Sequence, residues 1–432
     1  MTSPLKLIMP PAEQYDAPTL SYPRLRQVVK QHYQHEYDSV EAIFSDADTI
    51  SDKASLSNNY FPAITLKIQE ATTRDEQQRW SNRLTALSVE QFGRPDEVAV
   101  ERLIASELLH LQSLRRRSSL PTDVSRPVIA LYERLVSSTK ADATVPPLSQ
   151  QATLLAHLKA YLDATYRDGF AVLDEYADQP YLSADEIAAV YQEMVDRLSL
   201  KRWALREWKV VRTNSSQMAV NPRQKIIQVG RFLPSLSPLR AKSLFTHEVL
   251  VHAQRSVRGL LVTSKLAYGL PGYRQAEEGL GSLMEAAIEG RLPQRIADRY
   301  IDIALALGYG GLPQLTRQQI FTIAYARTRL RQSAAHVPVS DDLTRRATWQ
   351  HVNRIYRGTL GNDIVGVITK DQIYYAGYIE MATYLSRYKS DMLPRAIDFV
   401  LSGKIDPTSP EHRLYVHKQR FSINESRKES DS

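Results

Sequence analysis

His247 and His252 stand 252 − 247 = 5 residues apart in the run Phe245-Thr246-His247-Glu248-Val249-Leu250-Val251-His252, with Glu248 directly after the first histidine. Two neutral imidazoles and one carboxylate at such short range suit a divalent metal and a proton-handling acid. The spacing restricts the fold. On a regular helix of about 100° per residue, five steps place the rings roughly 140° apart, too far round to share an ion. In a π-type turn of about 4.4 residues the same five steps come to roughly 410°, which returns both rings to one face. The pattern therefore predicts a helix that is widened between His247 and His252. It would arise by chance about 0.01 times in a chain of this composition, and the competing reading is a buried helix with two hydrogen-bonded histidines and a paired glutamate.

A third ligand is needed, and one open position for water. The next helix-like run, from Tyr273 to Ala286, offers Glu277, Glu278 and Glu285, and Glu278 follows His252 by 278 − 252 = 26 residues, room for a loop to turn back. Paired glutamates on a helix are by themselves usually a solvated face. The residues leave Glu277 and Glu278 as alternatives.

The His-Glu-x-x-x-His motif followed by Glu277-Glu278-Gly279-Leu280 resembles the QEGLA-motif family that includes the microtubule-associated tyrosine carboxypeptidases. Further segments are similar to that family's patterns: Tyr356-Arg357-Gly358; Thr369-Lys370-Asp371 with Tyr374 and Gly377; Phe92-Gly93-Arg94-Pro95; and Ser402-Gly403-Lys404-Ile405. The resemblance spans about residues 60 to 420, with Gly281 where the family has alanine and Phe92 where it has tyrosine. It implies a zinc-metallopeptidase-like core with one Zn2+ per chain on His247, His252 and Glu278, and Glu248 as general base. It also implies Tyr374 as a donor to the developing oxyanion, and Arg357 and Lys370 as candidates to hold the substrate's terminal carboxylate. The expected activity is removal of a C-terminal residue from a protein or peptide. The alternatives are a catalytically silent metal-binding regulatory protein of the same fold and a basic helical interaction protein.

Cysteine is absent from the 432 residues, so disulfides, thiolate metal sites and cysteine nucleophiles are excluded. Residues are 43% hydrophobic and 24% charged, as in a globular protein with a sizeable core. No apolar run of about 18 residues and no leader-like N-terminus is visible, so the expectation is a cytoplasmic protein without a membrane partner. The formal net charge of +7 is compatible with an acidic substrate tail. Only Arg115-Arg116-Arg117 forms a compact basic run, and no aromatic residues interleave it, so no nucleic-acid partner is expected.

Periodicity predicts an α+β chain that is predominantly helical. Residues 1–58 read as a variable appendage with a short helix over 24–44, residues 59–420 as the main domain (helical scaffold 59–200, catalytic core 201–420), and 421–432 as a polar tail. Helices are expected over 73–114 (broken at Pro95), 128–138, 150–168, 184–199, 238–259, 273–290, 297–308, from 316, and over 343–356, with 120–127 and 141–149 as breaks. Ser183 with Glu186, and Thr316 with Gln319, have capping-box spacing, while Ser237-Pro238 marks the start of the motif helix. Short β-like runs at 209–212, 217–220 and 225–229 predict a small sheet, and the resemblance to peptidases implies that it lies beside the motif helix, where an extended peptide would pair.

Overall fold

The computed structural model describes residues 60–120, 122–137, 148–199, 205, 207–336, 339–359 and 364–419. The expected appendage with its helix over 24–44, the 421–432 tail and residues 141–147 of the break expected over 141–149 lie outside these residues; a helix already begins at Leu148. Among the described residues helix predominates, with one three-stranded sheet, as the periodicity predicts. The described residues fall into two units that interleave along the chain: those up to 143 with Ala297–Gln372, and those from 144 to Ile296 with those from Ile373 onward. The expected scaffold (59–200) and core (201–420) each contribute to both.

In the first unit, Arg74–Phe92 and Glu97–Arg117 are separate helices. Gly93 at φ 80° and the following Pro95 end the one, and Asp96 opens the other by accepting from Ala99 N at 2.8 Å. The helix Thr122–Ser137 begins inside the segment expected to be a linker and carries Pro127 in its second turn. Proline there forfeits one backbone bond, and burial of Val128, Leu131 and Leu135 outweighs that loss. Arg317–Ala334, with its complete Thr316/Gln319 capping box, and Asp341–Asn353 finish the helical part of this unit.

The second unit holds the motif. Ala184–Ser199 opens with the expected reciprocal cap, in which Ser183 N donates to Glu186 at 2.7 Å and Glu186 N donates to Ser183 Oγ at 3.3 Å. The sheet follows as β1 (Lys209–Thr213), β2 (Met218–Asn221) and β3 (Ile226–Gly230). β3 is central, parallel to β1 and antiparallel to β2, and β2 lies against the widened part of the motif helix. A helix at Arg167–Asp174 lies beyond the expected run ending at 168; with only eight residues it offers too short a pattern to stand out.

The motif helix begins at Pro238, with Ser237 accepting from Arg240 N at 3.2 Å. It is α-helical to Phe245, π-helical over Thr246–Ala253, and α-helical again over Gln254–Leu260. The five-residue histidine spacing thus meets the widened turn it requires. Gly259 was expected to end the helix but lies inside its last turn; a Cβ there would overlap the backbone of Leu266 and Ala267, so the glycine serves close packing. Fully buried Phe245 packs against Tyr191 at 5.1 Å between ring centroids, anchoring the motif helix on Ala184–Ser199. No described helix is long and apolar enough to cross a membrane.

Candidate metal centre

Three helices of the second unit build the site: the motif helix, the glutamate helix Arg274–Glu289 and the tyrosine helix Ile373–Leu385. The glutamate helix approaches both neighbours through small residues. A Cβ on Gly279 would overlap the backbone of Gly377, and one on Gly281 would lie 2.6 Å from Cε1 of His247. Gly281 therefore makes room for a histidine ring.

The widened turn brings the rings of His247 and His252 to 4.9 Å between centroids. Their Nε2 atoms converge on one oxygen of Glu278, at 3.4 Å from His247 and 3.6 Å from His252. These distances are long for a hydrogen bond. They match the edge of a tetrahedron of ligands about 2.1 Å from a central ion, which is about 3.4 Å. Glu248 joins the cluster: ligand atoms of His247, Glu248 and His252 lie within 4.8 Å of one another. Two imidazole nitrogens, a carboxylate and no thiolate are a donor set suited to zinc or a similar divalent ion.

The outward sides of the rings are also occupied. His247 Nδ1 lies 2.6 Å from Glu285 Oε1, and His252 Nδ1 lies 3.0 Å from Glu277 Oε1. Both are ion-pair contacts short of aligned hydrogen-bond geometry. Glu285 in turn meets Arg240 at 2.8 Å and Arg295 at 2.6 Å, while Lys404 reaches Glu277 at 2.8 Å.

Charges follow from this crowding. Burial works against protonated His247, but the negative charge of Glu285 and the facing carboxylate of Glu278 outweigh it and raise the pKa to about 9. His252 is raised well above its ordinary value against the same burial, chiefly by Glu277. For Glu277, burial is overcome by His252, Lys404 and Arg255, which hold it down to about 2. Glu278 is likewise held well below the usual carboxylate range, its burial outweighed by the two histidines that face it. Glu248 goes the other way: burial raises it, with both histidines opposing.

Tyr374, on the tyrosine helix, lies with its ring 6.5 Å from that of His247. Six of the eight residues singled out above (His247, Glu248, His252, Glu277, Glu278 and Tyr374) thus meet in one unit. Arg357 and Lys370 belong to the other, where buried Asp371 faces Lys370 at 3.4 Å, Arg357 at 3.7 Å, Arg299 at 3.4 Å and Arg354 at 2.8 Å. Between the two glutamates left open, Glu278 faces the shared Nε2 side and Glu277 the Nδ1 of His252. Glu285 was offered as one of several glutamates but given no role. Its spacing of seven residues from Glu278, about two helical turns, was the available signal that both lie on one face.

Comparison with protein-family models, with curated proteins and with solved structures found no match.

Proposed function

We propose that this chain is a zinc-dependent carboxypeptidase that hydrolyses the C-terminal peptide bond of a protein or peptide. Its ligands would be His247, His252 and Glu278. The observation that carries the reading is the convergence of two Nε2 atoms and one carboxylate oxygen at 3.4 and 3.6 Å, on a helix widened where the histidine spacing requires it. A divalent ion held there would act as a Lewis acid and lower the pKa of a water toward 7.

The remaining chemistry falls to side chains. Glu248, beside His247 and raised by burial, is suited to take a proton from water at a carboxylate oxygen and return it to the leaving amine. Glu278 stays anionic, as a ligand must. Tyr374 is the proposed donor to the oxyanion, supported by its ring's approach to His247. The edge strand β2, against the widened turn, is the proposed partner for extended substrate. Arg357 and Lys370 are proposed as carboxylate anchors on the resemblance of their motifs, and an acidic substrate tail suits the net charge of +7.

The test is metal content of the purified protein together with release of the terminal residue from matched peptides with free and amidated C-termini. One zinc per chain is expected, lost in His252→Ala. Removing one partner of a buried charge pair costs about 2 to 5 kcal/mol, so the free acid should be favoured about 30-fold to several thousand-fold in kcat/KM. Equal cleavage of both peptides leaves a peptidase without the carboxylate anchor. Bound zinc with no release from any peptide leaves a metal-binding regulatory protein.

A further inference from the structure

We infer that Lys404 with Glu277, behind His252, and Arg240 and Arg295 with Glu285, behind His247, form two cation–carboxylate–imidazole relays that set the affinity of the metal centre. The inference rests on the reading of His247, His252 and Glu278 as ligands. It adds five positioning residues, none of which touches the ion.

Each relay has the same order. The imidazole turns Nε2 inward and Nδ1 outward; a buried carboxylate meets Nδ1, at 2.6 Å for Glu285 and 3.0 Å for Glu277; and a cation meets that carboxylate at 2.6 to 2.8 Å. A carboxylate on Nδ1 keeps the proton there, which leaves the Nε2 lone pair for a metal and fixes the ring's orientation. Glu285 is 1% and Glu277 4% exposed, and an anion so enclosed needs its own counter-charge. The cations supply it from outside the ligand sphere.

Lys404 shows that the arrangement is built. Its segment, the Ser402-Gly403-Lys404-Ile405 motif, has no other role in the chemistry. Fully buried Arg255, three residues past His252 on the motif helix, donates from Nε to Gly403 O at 2.8 Å and also donates to Ile405 O. Lys404 N donates to Leu266 O at 2.7 Å, and Lys404 O accepts from Leu270 N at 3.0 Å. A side chain on Gly403 would press on Leu266, its Cβ 3.0 Å away. The backbone on both sides of Lys404 is therefore pinned, and its amine reaches Glu277 beneath the ring of Tyr273, 5.6 Å from the centroid.

The experiment measures zinc affinity of the metal-free protein by competition with a chromophoric chelator, with no peptide present. Glu277→Gln and Glu285→Gln should each weaken zinc about 10- to 100-fold, the usual cost of losing an outer partner of a ligating histidine. Lys404→Met, which keeps the stem but removes the charge, should weaken it about tenfold, and Lys404→Arg should restore most of the loss. Because Lys404 acts through Glu277, the Lys404→Met/Glu277→Gln double variant should be no weaker than Glu277→Gln alone. Circular dichroism of each metal-free variant separates a fold defect from an affinity defect, and Lys404→Met carries the test where a glutamate variant does not fold. Unchanged affinity in Lys404→Met, or additive losses in the double variant, would overturn the inference while leaving the metal centre standing. Abolished binding in Glu277→Gln with full binding in Glu278→Gln would overturn it by making Glu277 a ligand. A wild-type protein that takes up no zinc sinks the metal reading itself, and this inference with it.

Discussion

Each unit sets histidine against carboxylates, and the two do so with different geometry. In the first, His351 Nε2 sits 2.7 Å from Asp302, Arg327 clamps the same carboxylate at 3.1 and 2.8 Å, and Arg331 clamps Asp298 at 2.6 and 2.8 Å. Arg327 also donates to Tyr132 at 2.7 Å. Each of these contacts has hydrogen-bond length. In the second unit the histidines are closed on their outer side, at 2.6 and 3.0 Å, and held apart on their inner side, at 3.4 and 3.6 Å. The second cluster leaves its inner nitrogens and the Glu278 oxygen at the spacing of neighbouring ligands around one ion, a spacing that the His351–Asp302 contact does not show.

The sharpest way to break the comparison is to change the two carboxylates on the open side. Glu248→Gln should retain zinc and lose about 10² to 10⁴ in the rate of terminal-residue release, the worth of a positioned general base. Glu278→Gln should lose zinc, and with it all activity. Metal analysis beside a rate assay reads both. If Glu248→Gln sheds the metal and Glu278→Gln keeps it, the roles of ligand and base are exchanged.

On the closed side of the comparison, Asp302→Ala removes the carboxylate shared by Arg327 and His351. Burial alone would raise the Asp302 pKa, yet Arg327 and His351 together lower it, so the native fold holds the anion. Removing one partner of such a buried pair costs about 3 to 5 kcal/mol. Denaturant unfolding should show that loss, while zinc per folded chain stays at the wild-type value because every proposed ligand lies in the other unit. A fall in zinc stoichiometry of the folded variant would mean that this network is not merely structural.

The part of the site that was legible in the sequence is local. The five-residue spacing of His247 and His252 demanded a π-turn because two rings cannot otherwise share a face, and the helix is π-shaped over Thr246–Ala253. Caps at Ser183, Ser237 and Thr316 were readable because each is settled within four residues. What was not legible depends on pairs far apart in the chain. Glu285 faces His247 across 285 − 247 = 38 residues, and Lys404 faces Glu277 across 404 − 277 = 127. No periodicity announces such a pair. The tyrosine helix Ile373–Leu385 was hidden for another reason: it has buried residues around much of its girth, so it lacks the one-sided apolar stripe by which a surface helix is recognised. The same long range kept Gly281 from being read as a neighbour of His247.

The smallest effect concerns Asp371, where four cations of the first unit crowd one carboxylate and where the proposed anchors Arg357 and Lys370 reside. Burial would raise its pKa, but Arg354, then Arg299, Lys370 and Arg357, hold it well below the ordinary 3.8. A carboxyl depressed in the folded state binds its proton more readily when unfolded. Its stabilisation is therefore fully present above about pH 3.8 and is lost as pH falls from there through the folded pKa. One proton limits the slope to about 1.4 kcal/mol per pH unit. Unfolding free energies measured through this window should show the slope in the wild type and lose it in Asp371→Asn. The contributors should also rank by distance: Arg354, at 2.8 Å, is set to hold the anion, whereas Arg357, at 3.7 Å, is a looser partner. Arg354→Ala should thus remove more of the acid-sensitive stability than Arg357→Ala. If Arg357→Ala instead costs as much stability as Arg354→Ala and leaves the preference for free over amidated C-termini untouched, Arg357 is a strut of the Asp371 cluster and the substrate's carboxylate must be held elsewhere.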